Sequence, residues 1–80
     1  MAHELYTKIP ALHKEKGLVT VRYWNDGGDA IIAECADGSV IKRGYNKDFI
    51  CNPTPIEVAN YKTGNLEKLE WGVTPYAIRK

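Results

Sequence analysis

The clearest pattern in the chain is a set of three short segments rich in β-branched and aromatic residues. The first, 18–24 (LVTVRYW), has the composition typical of a strand, and 29–36 and 39–45 are similar. Turn sequences separate them, NDGG at 25–28 and Asp37-Gly38, because glycine adopts positive φ without strain. The pattern therefore predicts a three-stranded antiparallel meander.

The two turns also predict a register for this meander. Asp37-Gly38 as a two-residue type I′ turn pairs Cys35 with Val40, and a four-residue loop at 25–28 pairs Val21 with Ile32. Because side chains alternate between the faces of a sheet, the register defines two faces. The better core candidate carries Val19, Val21, Tyr23, Ala30, Ile32, Ile41 and Tyr45. The other face carries Leu18, Thr20, Arg22, Trp24, Ile31, Ala33, Cys35, Val40 and Lys42.

The segment after the meander begins with a helix-capping sequence. Thr54-Pro55-Ile56-Glu57 places an N-cap, a first-position proline and a glutamate three residues after the cap. It predicts a short helix over 55–62 that ends before Gly64. Over 58–71 a hairpin about 63–65 is the alternative, and helix is favoured. The segment 72–78 is predicted to be extended and able to add an edge strand.

The N-terminal stretch gives a mixed signal. Leu5, Ile9 and Leu12 have helical spacing, but Pro10 interrupts it because proline lacks an N–H and clashes with the preceding turn. We expect an irregular arm here, with helix only after Pro10.

Composition indicates one globular unit. The chain has 80 residues, of which 44% are hydrophobic and 26% charged, so a single α+β domain over 1–80 is expected. A net charge of +1 excludes a polyanion-binding role based on bulk charge. No apolar run reaches membrane-spanning length, and the N-terminus lacks a secretory apolar stretch. We therefore expect no membrane partner and a cytoplasmic location (host cytoplasm for a viral protein), with Cys35 and Cys51 as free thiols.

The residues that usually carry chemistry form no recognisable constellation. His3, His13, Cys35 and Cys51 lack metal-binding spacings, so neither a metal site nor a cofactor is predicted. Gly27-Gly28 lies between two strands and not between a strand and a helix, which argues against a phosphate-binding loop. No histidine is near either cysteine in sequence to activate a nucleophile. The chain is predicted not to be an enzyme.

The predicted second face is the candidate for partner binding. It places Arg22, Trp24, Ile31 and Lys42 together, and Tyr76 is a further candidate. For Trp24 core packing is the alternative, and for Trp71 core packing is favoured over an interface. We expect a small non-catalytic protein of accessory or inhibitor type that docks stoichiometrically on a larger protein. Its size and composition are similar to those of small phage, viral or mobile-element accessory proteins, which is an analogy only. The alternative is a small β-rich nucleic-acid-binding regulator, which the weak basic footprint makes the less favoured of the two.

Overall fold

The fold of the described chain is one antiparallel sheet with a single α-helix packed on part of one face. The computed structural model describes residues 4–6, 8–25 and 30–76. The strands are β1 (Glu4–Leu5), β2 (Ile9–His13), β3 (Gly17–Asn25), β4 (Ile31–Cys35), β5 (Val40–Gly44) and β6 (Phe49–Cys51). The helix is α1 (Pro55–Lys62), and 3₁₀ turns occupy Asn46–Asp48 and Leu66–Lys68. The order across the sheet is β5-β4-β3-β2-β6, and β1 pairs with β3 beyond the end of β2.

The predicted α+β class and the three strands of the meander are confirmed. They correspond to β3, β4 and β5, which are consecutive in the sheet. Of the loop expected at 25–28, Asn25 is the last residue of β3, and 26–28 lies outside the described residues. Three further strands, β1, β2 and β6, extend the meander on the other side of β3.

The stretch around Pro10 is a strand, so the expected irregular arm followed by a helix is wrong. Ala11 in β2 lies opposite Val19 of β3 on one side and Cys51 of β6 on the other. The Pro10 carbonyl accepts a hydrogen bond from the Asn52 backbone N–H at 2.9 Å. The missing N–H of Pro10 falls beside Asn52, just past the end of β6, where a proline is tolerated. Pairing on both sides outweighs the helical spacing of the apolar residues.

The turn between β4 and β5 has three residues, and the predicted two-residue type I′ turn is wrong. The Gly38 N–H donates to the Cys35 carbonyl at 3.1 Å, and the Cys35 N–H donates to the Ser39 carbonyl at 2.8 Å. Only Gly38 in this turn has a positive φ, +89°. The arrangement is a type I turn followed by a glycine in the left-handed region. Glu34 therefore faces Val40, one residue away from the predicted pairing.

A β-bulge in β3 changes the register a second time. Val21 pairs with Ala33, but Tyr23 pairs with Ile32, so β3 accommodates one extra residue at Arg22. A bulge reverses the alternation of side chains beyond it, because side chains repeat every two residues along a strand.

The new register moves Trp24 and Ile31 into the core, so their predicted place on the outer face is wrong. They lie opposite each other in the β3–β4 pair, and both are fully buried. Tyr23 and Ile32, predicted as core, are partly exposed on the other face. The main core cluster consists of Ala11, Val19, Val21, Trp24, Ile31, Ala33, Cys35, Phe49 and Cys51, with Ile9 and Ile41 packed against it.

The sheet curls around the ring of Phe49. This ring packs edge to face against Trp24, with centroids 5.7 Å apart, and against His13 at 4.8 Å. At the opposite end of the strand order, a Cβ added to Gly44 would lie 2.6 Å from Cε1 of Phe49. The missing side chain at Gly44 thus lets β5 approach the ring contributed by β6. The two outermost strands of the order meet at this point.

A smaller core lies on the opposite face, beneath α1 and the segment that follows it. The OH of Tyr61 in α1 donates to the Lys14 carbonyl at 3.2 Å, and its ring meets that of Trp71 at 6.3 Å. Trp71 therefore packs against a core, as favoured. The cluster consists of Leu12, Ile50 and Leu69, with Tyr61, Trp71 and Val73 packed around it.

The predicted helix is confirmed, including its caps. The Thr54 side chain accepts from the Glu57 N–H at 3.3 Å, and a Glu57 carboxylate oxygen accepts from the Thr54 N–H at 2.8 Å. Two backbone hydrogen bonds of the Schellman type close the C-terminus at Gly64, whose φ is +84°. The alternative hairpin about 63–65 is therefore wrong.

The end of the described chain adds to the sheet at a single point. Val73 forms a parallel bridge with Ile50, and its carbonyl accepts from the Cys51 N–H at 3.0 Å. Of the predicted extended segment, 77–78 lies outside the described residues. No helix in the described ranges is long and apolar enough to cross a membrane.

Neither cysteine is in a disulfide bond, in agreement with the prediction. Cys35 lies in β4 and Cys51 in β6, with β3 and β2 between them in the sheet. Both are buried and pack as small apolar side chains.

Candidate docking surface

The face of the sheet opposite the main core, here called the outer face, is covered only in part. Over β2 and β6 it packs beneath α1 and Trp71. Over β3, β4 and β5 it is open, and Leu18, Ile32 and Val40 are 44%, 39% and 48% exposed. Aliphatic side chains grouped on one open face are typical of an interaction surface. The side chains directed outward here are Leu18, Thr20, Arg22, Ile32, Glu34, Val40 and Lys42.

A shallow groove lies where β1 joins β3. The groove has a volume of about 570 Å³ and is lined by Tyr6, Arg22, Tyr23 and Ile32. These four residues are here called the outer patch. The rings of Tyr6 and Tyr23 are 4.9 Å apart and tilted by 52°. The Tyr6 OH donates to the Glu4 carboxylate at 3.2 Å, and this hydrogen bond raises the pKa of Tyr6. The groove opens broadly to solvent, so it suits a protein surface better than an enclosed small molecule.

The charges beside the outer patch largely neutralise each other. Nη1 of Arg22 lies 3.3 Å from Oε2 of Glu34 across the β3–β4 pair, and both side chains are about half exposed. Lys42 on β5 has no ion pair within the part of the chain that the structure describes. The outer face therefore combines apolar area with one unbalanced cation.

Three of the five residues predicted to bind a partner are exposed. Arg22 and Lys42 lie on the outer face, as predicted. Tyr76 is 41% exposed and follows Val73, which bridges to Ile50 of β6. Trp24 and Ile31 are in the main core and cannot contact a partner while the sheet is folded.

The outer patch contains three residues that the sequence analysis missed. Tyr23 and Ile32 take the places predicted for Trp24 and Ile31, because the register differs by one residue. This difference comes from the β3–β4 pairing and the bulge at Arg22, whereas Gly38 indicates only the three-residue loop between β4 and β5. The third residue, Tyr6, was missed because the N-terminal strands were not predicted.

His13 is a buried titratable group at the opposite end of β2 from the outer patch. Its side chain is 7% exposed, and Nδ1 accepts hydrogen bonds from the backbone N–H groups of Glu15 and Lys16, each at 3.1 Å. Burial lowers the pKa of His13, and Lys16 and Lys14 lower it further, whereas Asp48 and Glu15 oppose the shift. The neutral ring therefore carries its proton on Nε2 and caps the β2–β3 turn through Nδ1.

Within 4–6, 8–25 and 30–76, no group of three or more His, Cys, Asp or Glu side chains could hold a metal ion. Comparison with protein families, curated proteins and solved structures finds no match. The outer face is therefore the feature from which a function is inferred.

Proposed function

We propose that this protein is a small non-catalytic binding protein that docks stoichiometrically on a larger protein through its outer face. The observation that carries the proposal is the outer patch, where the tyrosine pair Tyr6 and Tyr23 lies beside Ile32 and Arg22. Tyrosine and arginine are enriched in interface hot spots because each desolvates a large area and retains a directed donor. We place the protein in the cytoplasm as an accessory or inhibitor, a compartment in which two free thiols are stable.

The distribution of charge and of aromatic rings favours a protein partner over a nucleic acid. Arg22 is already neutralised by Glu34, and the whole chain has a net charge of +1. The rings of Tyr45 and Trp71 each have a lysine ammonium over them, 5.9 and 5.6 Å from the ring centroids. Base stacking requires open ring faces beside unpaired cations, so these rings are poorly placed for it.

A matched pair of variants tests the surface. Ile32 is in the outer patch, and Ile56 is an exposed isoleucine on α1, 73% exposed. The wild type, Ile32→Lys and Ile56→Lys are immobilised and used to capture partners from an extract of the native host, with and without nuclease treatment. Each captured protein is then purified, and its stoichiometry and affinity are measured by sedimentation and calorimetry.

The expected result is a defined complex that Ile32→Lys weakens about 30-fold or more, the equivalent of a ~2 kcal/mol hot spot. Ile56→Lys should bind like the wild type, and both variants should melt near the wild-type temperature. Equal binding by all three proteins would contradict the assignment of the outer face. Capture that disappears on nuclease treatment would instead support the nucleic-acid alternative.

A further inference from the structure

The free edge of β5 offers backbone hydrogen-bonding groups to a partner. β5 is the terminal strand of the order, and no other strand pairs with its outer edge within the described ranges. The hydrogen bond from Cys35 to Ser39 fixes the alternation at the start of β5, where Glu34 faces Val40. Beyond Ile41 the register shifts, and β5 has one extra residue before Gly44. Because hydrogen-bonded and non-hydrogen-bonded pairs alternate in antiparallel sheets, Val40 directs its N–H and C=O away from β4. An edge of this kind can accept an added strand.

This edge is also cationic. Lys42, Arg43 and Lys47 are exposed along 40–47, a stretch that contains no acidic residue. We call the exposed residues Val40, Lys42, Arg43, Tyr45 and Lys47 the β5 edge.

The nearest carboxylates on the neighbouring turn and strand are already bound. The Asp37 carboxylate accepts from Oγ and N–H of Ser39, at 2.6 and 2.9 Å, and these hydrogen bonds lower the pKa of Asp37. Glu34 is paired with Arg22. At the other end of the edge, the Asp48 carboxylate next to Lys47 lies 4.0 Å from Nζ of Lys14. The positive charge is therefore centred on Lys42 and Arg43, away from the Asp37 turn.

We propose that the β5 edge receives an extended, acidic segment of the partner protein as an added strand. This inference rests on the proposed function and specifies the chemistry of the partner. Backbone groups at Val40 hold the segment, and its carboxylates lie opposite Lys42, Arg43 and Lys47. A second copy of the same edge is disfavoured, because like charges placed opposite each other destabilise a strand pair.

Synthetic peptides test the edge without knowledge of the partner. The probe is a capped octapeptide that alternates glutamate with valine, and its control replaces every glutamate with lysine. Each is titrated into the ¹⁵N-labelled full chain, alongside an oligothymidylate of similar charge. The variants are Val40→Pro, which removes one outward N–H at a position where edge strands tolerate proline, and Lys42→Glu/Arg43→Glu. The control variant, Lys62→Glu/Lys68→Glu, makes the same charge change at exposed positions outside the sheet.

The glutamate peptide should shift amide signals of β5 and slow hydrogen exchange at Val40. Val40→Pro and Lys42→Glu/Arg43→Glu should each weaken binding at least tenfold, and the control variant should bind like the wild type. The inference is overturned by equal shifts from the lysine peptide, by full binding to Val40→Pro, or by no binding. Stronger shifts of the same amides by oligothymidylate would overturn it in favour of nucleic acid. Loss of peptide binding leaves the Ile32→Lys capture test unaffected, so the two proposals fail separately.

Discussion

Replacement of Trp24 by alanine tests the observed register, because the predicted and observed faces differ at this residue. In the structure Trp24 is fully buried, lies opposite Ile31 and packs against Phe49 at 5.7 Å. Truncation of such a side chain lowers the free energy of unfolding by about 3–5 kcal/mol. A domain of this length has a total stability of about 4–12 kcal/mol. The variant should therefore be either largely unfolded or folded with little remaining stability. Its melting temperature should fall by about 12 °C or more.

A second substitution at Trp24 separates ring volume from hydrogen bonding. The indole N–H is buried and has no acceptor among the described residues. Trp24→Phe therefore removes part of the ring together with an unpaired donor, and we expect a smaller loss of about 1–2 kcal/mol. Tyr23→Ala is the neighbouring control on the outer face and should lower stability by less than Trp24→Ala.

Urea denaturation followed by circular dichroism measures all three variants on one scale. The expected order of stability loss is Trp24→Ala first, with Trp24→Phe and Tyr23→Ala clearly smaller. If Trp24→Ala has the same urea midpoint as Tyr23→Ala, the burial of Trp24 is refuted. The bulge at Arg22 would then be refuted with it.

Two further predictions follow from the core. The pKa of His13 in the folded state lies below its ordinary value of 6.5, so the unfolded chain binds more protons below that pH. The contribution of His13 to stability should therefore be complete above pH 6.5 and decline as the pH falls toward its folded-state pKa. His13→Asn keeps a hydrogen-bond acceptor for the turn but does not titrate, so its melting temperature should depend less on pH between 7 and 5 than that of the wild type. Gly44→Ala should lower stability by about 1–3 kcal/mol because its methyl group overlaps the Phe49 ring. In a double-mutant cycle, Gly44→Ala should cost less stability when Phe49 is already replaced by leucine. Equal losses in the two backgrounds would contradict the contact.

Local chemistry explains which elements could be predicted from the sequence. The helix at 55–62 depends on Thr54, Glu57 and Gly64, whose effects act within one turn of the chain. The strands of the meander likewise follow from their own composition. These elements were therefore predicted with nearly correct bounds.

The candidate site was less predictable because it depends on register. The extra residue at the Arg22 bulge decides which of two adjacent aromatics, Tyr23 or Trp24, faces solvent, and the Gly38 loop decides which residues of β5 do. Strand composition is the same for both outcomes, so only the pairing between strands decides it. Strand β2 was missed because the helical spacing of Leu5, Ile9 and Leu12 competes with it and because one of its partners, β6, is distant in sequence.

The strand order has a consequence for how the chain is made. β2 gains its partner β3 directly along the chain, but its other partner, β6, is synthesised only after β4 and β5. At roughly 5–20 residues per second, the edge of β2 that carries Ala11 and Leu12 stays unpaired for about 1–5 s after β3 is complete. During this interval the nascent chain presents an apolar edge that β6 and α1 later cover. Premature termination before Phe49 would leave that edge open permanently, so truncated products should be directed to chaperones or proteases and not accumulate as folded fragments.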